Sequence, residues 1–143
     1  MKVIVICGAA ALAAVSLGAP AAAQDSAMLA ANLLGQEVPN GAGDDKASAN
    51  FNGEVNLKRN SMCYYLDMDG LSDATAVDIR QKDQVATDPP TLALKVPGPG
   101  GDEVCVNGDN AVLSAIAKTP GDYYIAIHST AHPDGAVRGA LKE

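Results

Sequence analysis

Two histidines, His128 and His132, are the residues of this 143-residue sequence best suited to metal ligation or proton transfer. They lie four positions apart, a spacing that would place both rings on one face of a helix and suggest a zinc pair. Alternating residues precede His128 and a Pro-Asp-Gly segment follows His132, which together predict a strand and then a turn. We therefore interpret His128 as a structural residue that hydrogen-bonds to Arg138 or to an aspartate; the alternative is a metal-ligand role.

Other patterns that could carry chemistry are incomplete. Residues 67–73 begin like a calcium loop, but they lack its third oxygen ligand, and Asp78 stands where the loop needs a glutamate. The glycine-rich residues 97–101 lack the Lys-Ser/Thr of a phosphate loop, and the sequence contains no Gly-x-Ser-x-Gly motif. The residues therefore predict no catalytic group, no metal site and no cofactor.

Residues 1–23 have the pattern of a secretory signal peptide. Lys2 supplies a positive start, residues 3–17 are uncharged and apolar, and three alanines at 21–23 suit signal peptidase. A transmembrane anchor is the alternative, but the run is rich in Ala and Gly and short of the ~20 strongly apolar residues that a span needs. We expect cleavage after Ala23, a mature single domain over residues 24–143, and a periplasmic or secreted location.

The mature chain keeps two of the three cysteines, Cys63 and Cys105, because Cys7 lies in the leader. An even number of cysteines in an exported chain predicts a disulfide between them; two free thiols are the alternative. The pair is 42 residues apart. Closing a loop of that length is worth roughly 4 kcal/mol in the chain-entropy model.

Composition argues against two classes of partner. The whole chain has a net charge of −7, and the mature part has −8 because Lys2 leaves with the leader. With three Arg, one Phe and no Trp, the chain lacks the clustered cations and rings that nucleic-acid binding uses. Anionic membrane surfaces require basic patches as well. We expect no nucleic-acid partner and no membrane insertion after cleavage.

Short alternating segments dominate the mature chain. Residues 47–57 and 62–69 alternate between apolar and polar residues around a polar turn, which predicts a β-hairpin. Further strands are predicted near residues 74–79, 92–96, 104–106, 123–128 and 136–141, with one helix over 111–118 that Asp109 caps. This pattern predicts an all-β fold, an antiparallel β-sandwich or barrel of immunoglobulin-like or Greek-key type, with one short helix near 110–118.

The end of the chain resembles the C-terminal signature of the CHRD (chordin) domain family. The matching residues are Tyr124, Ile125, Ile127, His128, Pro133, Gly135, Val137, Arg138, Gly139 and Leu141. Residues 34–39 (LGQEVP) resemble the family's opening Leu-x-Gly-x-x-Glu-Val-Pro pattern, and residues 70–76 resemble its Gly-Leu-x-x-Ala-Thr-Ala segment. The resemblance covers about residues 29–141.

The resemblance implies an exported, non-catalytic binding or structural module of the cell envelope, whose partner is an envelope or extracellular protein. In many bacterial members a His-x-His pair follows the Ala-Thr-Ala segment and, with the histidine matched by His128, could bind a metal. Here Asp78 and Arg80 take those positions and can pair with each other or with neighbours across the sheet. We expect Asp78, Arg80, His128 and Arg138 to form a polar surface cluster if their strands are adjacent. The alternative function is a metal-binding β-sandwich protein or a metal-dependent enzyme that uses His128.

Overall fold

The computed structural model describes residues 24–143; the predicted signal peptide, residues 1–23, lies outside the described residues. Eight strands form one sheet in the order β5-β4-β7-β8-β1-β2-β3-β6, and every neighbouring pair is antiparallel. The strands are β1 (Ser26–Leu34), β2 (Ser48–Asn56), β3 (Ser61–Asp69), β4 (Ala74–Gln81), β5 (Leu92–Leu94), β6 (Val104–Asn107), β7 (Tyr123–Ser129) and β8 (Val137–Ala140). One helix, α1 (Asn110–Lys118), and three 3-10 turns, Gly35–Glu37, Pro39–Gly41 and Pro120–Asp122, connect them.

The sheet curls into a nearly closed, barrel-like layer around one core. Leu92 and Leu94 from one end of the sheet belong to the same buried cluster as Val106 from the other end. Leu113 and Ile116 of α1 are fully buried in it as well. The prediction of an all-β antiparallel fold with one short helix is therefore confirmed. No helix among residues 24–143 has the length and hydropathy to cross a membrane.

The predicted hairpin and helix cap are both present. Strands β2 and β3 pair along their whole length, from Ser48 opposite Asp69 to Asn56 opposite Ser61. Their apolar residues face the core because alternate residues of a strand share a face. The Asp109 carboxylate accepts a hydrogen bond of 2.8 Å from the backbone N–H of Ala111, which satisfies a free donor at the start of α1.

Strand β1 was not predicted from the sequence. It pairs with β2 along its whole length and buries Leu29, Ala31 and Leu33 in the core. Alanines stand on both faces of this strand, so its alternation of apolar and polar residues is weak. Its burial comes from its place in the sheet beside β2 and from packing into the core, which a local pattern does not reveal.

Strand β7 lies between β4 and β8 and is buried on both faces. One face packs into the core through Ile125 and Ile127, and the other carries Tyr124, Ala126 and His128. Residues 82–91 and the turn Pro39–Gly41 flank this second face. The candidate site lies there.

Candidate functional site

Asp78 and Arg80 of β4 face His128 and its neighbours on the outer side of the sheet. The register places Asp78 opposite Ala126 and Arg80 opposite Tyr124 on β7. The Asp78, Arg80 and His128 residues are only 5%, 4% and 7% exposed. We call these three residues the buried cluster.

Hydrogen bonds join all three members of the buried cluster. Arg80 donates from Nε to Asp78 Oδ1 at 2.8 Å and from Nη2 to Asp78 Oδ2 at 2.9 Å, the bidentate geometry that suits a guanidinium and a carboxylate. His128 Nε2 lies 3.1 Å from Asp78 Oδ2, and His128 Nδ1 lies 2.9 Å from the carbonyl oxygen of Pro133. The predicted tie from His128 is thus to an aspartate and not to Arg138.

These contacts favour the protonated form of His128. The Pro133 carbonyl can only accept a hydrogen bond, and so can an ionised Asp78; an imidazolium can donate to both, whereas a neutral ring has one N–H. The hydrogen bond to Asp78 raises the pKa of His128 above its ordinary value, although burial opposes the shift. Burial by itself raises the pKa of Asp78, but the hydrogen bonds and charges of His128 and Arg80 outweigh it and hold that pKa below its usual value.

The same network fixes the loop of residues 82–91. Arg80 Nη1 donates to the carbonyl oxygens of Val85 at 2.8 Å and Asp88 at 2.6 Å. The Tyr124 hydroxyl donates to the carbonyl oxygen of Gln84 at 2.9 Å. Because these are backbone acceptors, the buried cluster can hold the loop from beneath whatever side chains the loop carries. The loop's own side chains also hold it, since Asp88 Oδ2 accepts from the N–H of Val85 at 3.0 Å and Gln84 Oε1 accepts from the Thr91 hydroxyl at 2.8 Å.

Arg138 of β8 lies beside the buried cluster but is not bonded to it. It is opposite Ala126 in the register, and its guanidinium carbon is 4.5 Å from the centroid of the Tyr124 ring, a cation–π contact. Within residues 24–143, its guanidinium makes no hydrogen bond or ion pair. The four residues predicted as a cluster therefore share one face of the sheet, with three bonded together and Arg138 separate.

Arg138 lines an open cleft of about 470 Å³ between the loop of residues 82–91 and residues 38–42. Tyr124 and Ala126 form part of its lining on the sheet side, and Val38 and Val85 are apolar residues on its two sides. Besides Tyr124, the charged or titratable residues around it are Arg80, Lys82, Asp83, His128, Asp134 and Arg138. Its size is that of a small-molecule site.

The loop of residues 82–91 is the part of the site that the sequence did not predict. The alternation of residues 123–128 places Tyr124 on the face of His128, but Tyr124 was not among the residues of the predicted cluster. The loop gave no signal, because Gln84, Val85 and Asp88 contribute carbonyl oxygens that every residue type carries.

The other predicted residues lie away from this cleft or serve local structure. Cys63 and Cys105 form the predicted disulfide at directly opposed positions of β3 and the edge strand β6. In the described part of the chain, the one group of three potential metal ligands is these two cysteines with Glu103, and the two sulfurs are bonded to each other. His132 contacts the carbonyl oxygen of Ala42 through Nδ1 at 2.8 Å and does not join His128.

Comparison with known proteins gives one match. The family model described as the CHRD domain matches residues 29–141, most of the chain. No curated protein and no solved structure matches it.

Proposed function

The chain belongs to the CHRD domain family, and from that premise we propose that it is an exported, non-catalytic binding module of the cell envelope. The observation that carries this proposal is the contrast within the site. The polar groups of the buried cluster are engaged by the protein itself, whereas Arg138 faces an open cleft with its N–H donors unused in the described residues.

Binding suits this arrangement better than catalysis does. A general base or a metal ligand needs a nitrogen with a free lone pair, and both nitrogens of His128 already lie within hydrogen-bond distance of a protein oxygen. Asp78 already accepts three hydrogen bonds from Arg80 and His128. The role we assign to the buried cluster is to hold the wall of the cleft in place before a ligand arrives, which lowers the entropy cost of binding.

Export rests on two features of the chain. Residues 1–23 have the signal-peptide pattern, and the Cys63–Cys105 bridge requires an oxidising compartment such as the periplasm or the extracellular space. Mass spectrometry of the exported protein should find a start at Gln24 and two hydrogens fewer than the reduced form. A mature chain that keeps Met1 would contradict export by cleavage. The partner we expect is an envelope or extracellular protein, or a molecule that it carries.

A methyl NMR screen of the mature, oxidised protein against small molecules tests binding at the cleft. Hits should shift the methyl signals of Val38, Val85 and Ala126, and leave those of Val112 on α1 unchanged as a control. A screen that moves none of the three cleft residues would contradict the proposal.

Metal analysis tests the alternative, a metal-binding protein or metal-dependent enzyme that uses His128. The protein is dialysed with zinc or copper, and the bound metal is measured for the wild type and for His128→Gln. We expect substoichiometric metal that is the same in both. A stoichiometric ion that is lost in His128→Gln would overturn the non-catalytic proposal.

A further inference from the structure

We propose that the cleft binds a carboxylate attached to an apolar group, with Arg138 holding the carboxylate. This inference rests on the proposed function and names the chemistry of its ligand. It depends on three features of the cleft: an available guanidinium, the absence of a carboxylate partner for it in the described residues, and apolar residues beside it.

The available guanidinium is the first feature. Arg138 is half-buried and lines the cleft, and its guanidinium carbon lies over the Tyr124 ring, 4.5 Å from the centroid. Within the described residues no acceptor is bonded to its N–H groups. Two parallel N–H groups of a guanidinium match the two oxygens of a carboxylate. The contact with Tyr124 restricts the orientation of Arg138, so less side-chain entropy is lost when a ligand binds.

An unpaired cation on the floor of the cleft is the second feature. Asp78 is bonded to Arg80 and His128, and the Asp88 carboxylate also acts on the charge of Arg80, so the charges of the buried cluster are compensated from within the protein. Arg138 lies on the same face and has no carboxylate partner in the described residues. At the rim, Lys82 stands against Asp83 and Asp134, so Arg138 is the cation that an anionic ligand would meet in the cleft.

Apolar residues next to the cation are the third feature. Val85 is 59% exposed, although Arg80 fixes its carbonyl oxygen and so the loop beneath it. Val38 lines the opposite side, and Ala126 lies between Asp78 and Arg138 in the register, where its small side chain leaves space. An apolar group on the ligand would therefore cover Val85 while its carboxylate meets Arg138.

Matched pairs of acids and amides test the carboxylate requirement on the wild-type mature protein. We propose methyl NMR titrations at pH 6 and low salt with N-acetyl-leucine against N-acetyl-leucinamide, and with hexanoate against hexanamide. Each acid should bind at least about tenfold more tightly than its amide, because only the acid forms charge-assisted hydrogen bonds. Tighter binding of N-acetyl-leucine supports the carboxylate of a protein chain end, and tighter binding of hexanoate supports a free acid.

Two variants test the role of Arg138. Arg138→Gln should weaken acid binding at least about tenfold and leave amide binding unchanged, and Arg138→Lys should restore part of the loss. Arg59→Gln, the same change at an exposed arginine in the turn between β2 and β3, should have no effect. Equal acid affinity in wild type and Arg138→Gln would overturn the assignment of Arg138.

The outcomes separate this inference from the proposed function. Amides that bind as tightly as acids, with shifts at Val38 and Val85, would overturn the carboxylate class and leave the binding function in place. If these four probes fail but the wider screen finds uncharged ligands at the cleft, the inference again fails alone. If neither the probes nor the screen shifts the cleft residues, both proposals fail.

Discussion

Replacing Asp78 with asparagine should destabilise the protein severely, because it removes the counter-ion of a buried guanidinium. The Asp78 and Arg80 side chains are only 7% and 5% exposed, and the two residues share two hydrogen bonds. Asn is nearly the same size as Asp, so the change removes the charge without opening a cavity. His128 loses the acceptor that stabilises its protonated ring as well.

The magnitude follows from burial. Removing one partner of a buried ion pair costs about 3–5 kcal/mol, since the remaining charge stays out of water without its counter-ion. That is a large part of the ~5–15 kcal/mol by which native domains are stable. For a domain of this size the melting temperature should fall by roughly 10–25 °C.

Urea denaturation of the mature, oxidised protein at pH 6 measures the change, with Asp67→Asn as the matched control. Asp67 is an exposed carboxylate on the outer face of β3, so its variant should stay within about 0.5 kcal/mol of wild type. A double-mutant cycle with Arg80→Met should give a coupling energy above about 1 kcal/mol between the two residues. A loss in Asp78→Asn no larger than that of the control would refute the central role of the ion pair.

Three further changes have definite expected outcomes. His128 should make the protein more stable than the His128→Gln variant, and this difference should be fully present below pH ~6.5, the pKa of an unfolded histidine. The difference should be lost as pH rises through the pKa of His128 in the folded protein, which Asp78 raises. Urea denaturation from pH 5 to 8.5 measures it, and a difference that stays constant would contradict this prediction. The double variant Cys63→Ser/Cys105→Ser should lose roughly 4 kcal/mol in urea denaturation, and an unchanged midpoint would show that the bridge does not stabilise the fold. Gly139→Ala should lower the melting temperature sharply, because the added Cβ would lie 2.0 Å from a backbone oxygen of β1. Gly98→Ala is the control and should leave the melting temperature unchanged, because its Cβ would meet nothing within 4 Å. Equal melting temperatures for the two variants would contradict the close approach of β8 to β1.

Regular alternation is the part of the fold that could be predicted from the sequence. Strands β2 and β3 each have one face in the core and one in solvent, so their residues carry the period of two directly. Strand β7 is buried on both faces. The core covers one face, whereas the cover of the other includes a loop 40 residues away in sequence, which the Tyr124 hydroxyl contacts at the carbonyl oxygen of Gln84. No local pattern could reveal that arrangement.

The candidate site was predictable in its residues but not in its connections. The types and positions of Asp78 and Arg80 on one strand face left open whether they pair with each other or with neighbours across the sheet, and in the structure Asp78 does both, with Arg80 at 2.8 Å and with His128 at 3.1 Å. The stacking of Arg138 on Tyr124 depends on the pairing register of β7 and β8, which involves residues distant in sequence. The anchoring of the loop depends on backbone oxygens, which have no sequence signal.

The central claim is that His128 is a fully bonded support of the cleft and not a base or a metal ligand. The ¹⁵N NMR shifts of its imidazole ring, measured on the mature protein at pH 6.5, test it directly. We predict that both ring nitrogens are mainly protonated and that both N–H protons are observed, because Pro133 and Asp78 accept from them. A ring with one unprotonated nitrogen under these conditions, or a shift of that nitrogen on addition of zinc, would contradict the claim.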